Sequence, residues 1–111
     1  MNVREAQLID PARTVVATLR IAEDGDHYEG TVDLRSTPHS LRVLFDEFEE
    51  IVNGQMFSFL DEIQAKIGSL SIKVLFDDGF EDSVKDLQVF PSTGDVSFRL
   101  SNVGSRAARL V

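Results

Sequence analysis

Residues 36–68, STPHSLRVLFDEFEEIVNGQMFSFLDEIQAKIG, stand between two groups of strand-like sequence, and their reading decides the fold. Thr37 is a capping residue type, and Pro38 suits a first helical turn, where its missing N–H removes no hydrogen bond. Leu41, Leu44, Phe45, Phe48, Ile51 and Val52 follow at helical spacing and form one apolar stripe. Extended at about 100° per residue, that stripe puts Gln55, Glu62 and Lys66 on the apolar face. The later apolar set, Met56, Phe59, Leu60, Ile63 and Ile67, is centred roughly 60–80° away by the same count. Asn53-Gly54 lies where the phase slips, and both residue types tolerate left-handed backbone. A continuous helix over 38–67 would be about 45 Å long at 1.5 Å per residue, longer than the roughly 34 Å diameter of a compact chain of this size. The expectation is two helices, 38–52 and 56–67, or one helix with a kink. Ser58-Phe59-Leu60-Asp61 has the form of a capping box for the second.

On the N-terminal side, Val15, Ala17, Leu19 and Ile21 alternate with Thr14, Val16, Thr18 and Arg20, the pattern of a half-buried strand. Asp24-Gly25 is a hairpin signal, and the return strand turns Tyr28, Gly30, Val32 and Leu34 inward. Before this hairpin, Ile9-Asp10-Pro11 reads only as a break, because Pro11 biases Asp10 toward extended backbone. On the C-terminal side, Gly68 ends the second helix and Leu70, Ile72, Val74 and Phe76 alternate as a third strand. Residues 82–90 form a fourth, in which Val84 is out of phase with Leu87 and Val89 and requires a bulge. Val96, Phe98 and Leu100 mark a fifth, and residues 102–111 read as a loose tail. The order ββ-αα-βββ predicts a single α+β domain over 1–111. It would have a mostly antiparallel five-stranded sheet, one face under the helices and the other wet.

Composition narrows the function. A chain of 111 residues supports one core. Its 42% hydrophobic content is that of a globular domain. A net charge of −8 argues against nucleic-acid binding, which needs a basic face. Without cysteine there are no disulfides, thiolate metal sites or Cys nucleophiles, and the chain suits a reducing cytoplasm. Residues 1–7 carry no apolar signal-peptide core, and no apolar run approaches the roughly 20 residues of a membrane span.

Catalytic and metal signatures are weak. An EF-hand loop counted from Asp24 has Arg35 where its last acid belongs, and one counted from Asp77 has Gln88 there. His27 shares a strand face with Glu29, two ligands at most, and His39 falls in a first helical turn. There is no Gly-x-Ser-x-Gly elbow and no phosphate-cradling glycine loop. Glu29 and Asp33 lie about 13 Å apart along a strand, too far for a glycosidase pair. No metal, cofactor or catalytic residue is assigned, and an enzyme is the less favoured class.

The acidic helical face is more informative. Between Arg42 and Lys66 there is no basic residue, while Asp46, Glu47, Glu49, Glu50, Asp61 and Glu62 all fall there. Arg42 and Lys66 have helical partners in Asp46 and Glu62, which leaves Glu47, Glu49 and Glu50 without a local cation. Val43 and Phe57 project away from the apolar stripe beside them, although a broken helix favours burial of Phe57. The expectation is a non-enzymatic protein-interaction domain that meets a basic partner through Glu47, Glu49, Glu50, Val43 and Phe57, in the manner of an immunity or inhibitor protein. Val16, Leu75 and Phe90 on the outer sheet face offer a two-fold contact for a homodimer. The alternative class is a small-ligand binder or enzyme with a pocket between helices and sheet.

Overall fold

The computed structural model describes residues 3–100. In chain order the elements are β1 (Arg4–Ile9), β2 (Val15–Asp24), β3 (His27–Asp33), α1 (His39–Asn53), a 3₁₀ turn (Phe57–Phe59), α2 (Leu60–Gly68), β4 (Lys73–Phe76), β5 (Glu81–Phe90) and β6 (Asp95–Leu100). The expected tail at 102–111 lies outside the described residues. Among the described residues no helix is long and apolar enough to cross a membrane.

The α+β class and the antiparallel pairing are as expected, but the sheet is not five-stranded and not open. Six strands close into a barrel in the order β1-β2-β3-β6-β5-β4, with every neighbour antiparallel. The additional strand is β1. The backbone of Asp10 and Arg13 turns the chain: Arg13 N–H donates to the Asp10 carbonyl at 2.8 Å, and Thr14 N–H donates to the Asp10 carboxylate at 2.9 Å. Pro11 therefore sits in a hairpin turn. It delivers β1 alongside β2 on one edge and β4 on the other.

Closure removes the edges of an open sheet and fills its interior face with side chains, leaving part of the outer face wet. Directly opposed residues share a face, and the inward pairs alternate in size: Ala6 faces Leu19 and Phe76, and Leu8 faces Ala17 and Val74. Tyr28 lies between two rings, 5.5 Å from Phe98 in a near-parallel stack and 5.4 Å from Phe76. The Arg4 guanidinium rests 4.4 Å from the Phe76 centroid and also pairs with Asp77 and Asp78 at 3.2 and 3.1 Å.

The phase conflict in β5 is resolved as expected. The register slips between Lys85 and Gln88, and Asp86 takes positive φ in the bulge, where its carboxylate meets Arg99 at 2.7 Å. After β3, the Arg35 side chain donates three hydrogen bonds to the two Asp33 oxygens and its backbone N–H adds a fourth. These bonds lower the Asp33 pKa from 3.8 to about 2. A depressed carboxyl stabilises the fold above its unfolded value and loses that contribution as pH falls through about 2. Side-chain NMR should find Asp33 still ionised at pH 3, and Arg35→Ala should return its titration to the ordinary range.

The helices pack on each other and on β5. Leu41, Phe45, Phe48 and Ile51 form the buried stripe of α1, and Phe48 meets Phe90 of β5 at 5.6 Å between ring centroids. Thr37 does not cap α1; its hydroxyl donates to the Val16 carbonyl at 2.6 Å, and the segment before the helix crosses β2 there. That crossing corrects the proposed two-fold contact. Val16 is only 2% exposed and Phe90 is already packed against Phe48, so this set is not a free outer surface.

Candidate functional site

The break between the helices is a Schellman closure. Gln55 N–H donates to the Val52 carbonyl at 3.1 Å and Met56 N–H to the Ile51 carbonyl at 3.0 Å. The left-handed residue is Gln55, not the adjacent Gly54, which stays right-handed at the helix end. The chain then makes the 3₁₀ turn before α2, and the Ser58 hydroxyl does not cap that helix. A 3₁₀ turn advances about 120° per residue instead of 100°. That rotation takes the aromatic residues off the stripe that continues through the buried Ile63 and Ile67.

Phe57 is therefore 59% exposed and Phe59 54%, with Met56 at 37% beside them. The structure overturns the inclusion of Met56 and Phe59 in the apolar stripe; Phe57, weighed both as an exposed anchor and as a residue buried by the helix break, is exposed. Val43, 46% exposed, lies one helical turn before Glu47, and Glu50 follows on the same face of α1. Glu47, Glu50, Met56, Phe59 and Glu62 surround a depression of about 250 Å³ whose floor includes Ile51 and Ile63.

Glu49 stands apart. Two residues along a helix is a rotation of about 200°, and its carboxylate accepts hydrogen bonds from the Ser92 N–H and hydroxyl in the β5–β6 turn. Arg42 pairs with Asp46 at 3.3 Å and Lys66 with Glu62 at 3.8 Å, as their spacing anticipated. Among the described residues Glu47 and Glu50 have no cation within ion-pair distance. Of the five expected residues the depression brings together Glu47 and Glu50, with Met56, Phe59 and Glu62; Val43 lies a turn away on the same helix face, and Phe57 is exposed on the 3₁₀ turn without lining it. The sequence signal of the apolar members is the Met-Phe-Ser-Phe run directly after a helix stop.

Two further features stand on the barrel. A groove of about 830 Å³ crosses the outer faces of β2, β3 and β6, lined by Arg20, Ala22, Glu29, Thr31, Phe90 and Ser97. At its rim Asp24 joins His27 and Glu29, and one ligand atom from each lies within 4.8 Å of the others. Two ligands at most were expected here; the third arrives because Asp24 is paired with His27 across the hairpin. Between α2 and β5 the cavity is only about 100 Å³, below the roughly 300–1,000 Å³ of typical small-molecule pockets.

Comparison with protein families, with curated proteins and with solved structures finds no match.

Proposed function

We propose that this chain is a protein-interaction domain that captures a basic partner through the α1–α2 corner. The observation that carries the proposal is the half-exposed Phe59 ring beside Met56 in the carboxylate-bordered depression, with Phe57 also exposed on the same turn. Large apolar side chains grouped in the open are uncommon on a monomer surface and are frequent at the centres of interfaces. Glu47, Glu50 and Glu62 border the same depression. Carboxylates around an apolar centre match a partner whose own apolar contact is ringed by Lys or Arg. Their charge accelerates encounter at low salt more than it tightens the bound complex. A neutralising role of the inhibitor type fits the chain's small size and net charge of −8.

Glu49 is removed from the binding set, because its carboxylate is occupied by Ser92. The test compares three bait proteins in quantitative affinity capture from host lysate at low and high salt. Phe57→Ala/Phe59→Ala should keep its stability within about 0.5 kcal/mol, since both side chains are exposed. It should weaken the captured partner by about 30-fold or more, the effect of losing an interface hot spot. Glu47→Gln/Glu50→Gln should slow association at low salt and match the wild type at high salt. Capture that survives loss of both rings would refute the proposal.

A further inference from the structure

The β2–β3 hairpin presents a second site unrelated to the helical corner. Asp24 and His27 are directly opposed across the two-residue turn Gly25-Asp26, and Glu29 is two residues beyond His27 on the same strand. Strand period two therefore sends all three side chains to one face. The His27 Nε2 lies 3.6 Å from a Glu29 oxygen, and the three donor atoms lie within 4.8 Å of one another. We propose that Asp24, His27 and Glu29 bind a divalent transition-metal ion of the Zn²⁺ type.

Four features support this assignment. The donor set combines an imidazole nitrogen with two carboxylates, which suits Zn²⁺ and its neighbours better than Ca²⁺ or Mg²⁺. Ions of this type sit about 2.1 Å from each ligand, so donors need separations of roughly 3–4 Å. The two exposed carboxylates can close the remaining gap by side-chain rotation, while the hydrogen-bonded ladder fixes the three backbones. Two arginines share this outer face: Arg20 lines the same groove, and Arg99, opposite His27 in β6, is held by Asp86 at 2.7 Å and Asp26 at 3.5 Å. Among the described residues no Lys or Arg, Arg20 included, makes an ion pair with Asp24 or Glu29, so both carboxylates remain available beside the imidazole. Three protein ligands leave a tetrahedral ion at least one open position. Asp24 and Glu29 also line the 830 Å³ groove.

Titration calorimetry with ZnCl₂, repeated with CaCl₂, tests the site on the intact chain. One Zn²⁺ per chain is expected, with Ca²⁺ binding at least about 100-fold weaker. His27→Ala should weaken Zn²⁺ by about tenfold or more, and Asp24→Asn should weaken it to a similar degree. His39→Ala should leave it unchanged. Imidazole NMR of the wild type gives a reading free of folding defects: Zn²⁺ should shift the His27 ring signals and not those of His39. Absence of stoichiometric Zn²⁺ binding, or Zn²⁺ binding that leaves the His27 ring signals unmoved, would overturn the proposal.

Discussion

Gly30→Ala is expected to destabilise the fold by about 3 kcal/mol or more, above the usual range for adding one methyl group to a packed site. Gly30 is paired with Ile21 of β2 and Val96 of β6. A Cβ at this position would stand 2.0 Å from the Arg20 carbonyl oxygen and 2.8 Å from the Ile21 Cα. Both obstacles are backbone, so no side-chain rotation relieves them. β3 would have to move off β2, and in a closed barrel that displacement is carried into the β3–β6 ladder as well. Urea denaturation measures the loss, with Thr31→Ala as an exposed neighbour expected to change stability by less than about 0.5 kcal/mol. A Gly30→Ala variant as stable as wild type would mean that β2 and β3 do not approach this closely.

Phe48→Ala should be comparably damaging, at about 3–5 kcal/mol, because a buried aromatic ring is replaced by a cavity. Phe48 is 1% exposed and carries the α1 stripe onto the Phe90 ring. It is one of the contacts that hold the helical pair on the barrel. A double-mutant cycle with Phe90→Ala should return a coupling of about 0.5–1.5 kcal/mol. Additive losses would place the two rings out of contact.

The sequence was most informative where a local rule decides the structure. Asp24-Gly25 and Asp78-Gly79 mark turns because glycine accepts positive φ, and both glycines adopt it. The bulge in β5 followed from Val84 being out of phase, since a strand cannot turn both residues inward without an extra one. Barrel closure had no such local sign. The β1–β4 ladder joins Ala6 to Phe76 and the β3–β6 ladder joins Tyr28 to Phe98, pairings between distant segments that no turn residue announces. β1 carries little strand signal of its own, because Arg4–Ile9 contains only two strongly apolar residues and stops two positions before Pro11.

At the candidate site, Val43, Glu47 and Glu50 were legible from helical phase, and the exposure of Phe57 was only half anticipated. Met56 and Phe59 leave the apolar stripe because uniform α-helical rotation does not hold where the chain makes its 3₁₀ turn, Phe57–Phe59. The Glu49 contact is illegible for a different reason. Its partner, Ser92, is 43 residues away, in a turn whose position depends on the closed barrel.

Amide chemical-shift mapping with the purified captured partner tests the interaction surface most directly. The ¹⁵N-labelled chain should show its largest changes at Val43, Glu47, Glu50, Met56–Phe59 and Glu62, and these should weaken as salt is raised. Changes centred on the outer groove of β2, β3 and β6, with the corner amides unmoved, would contradict the account.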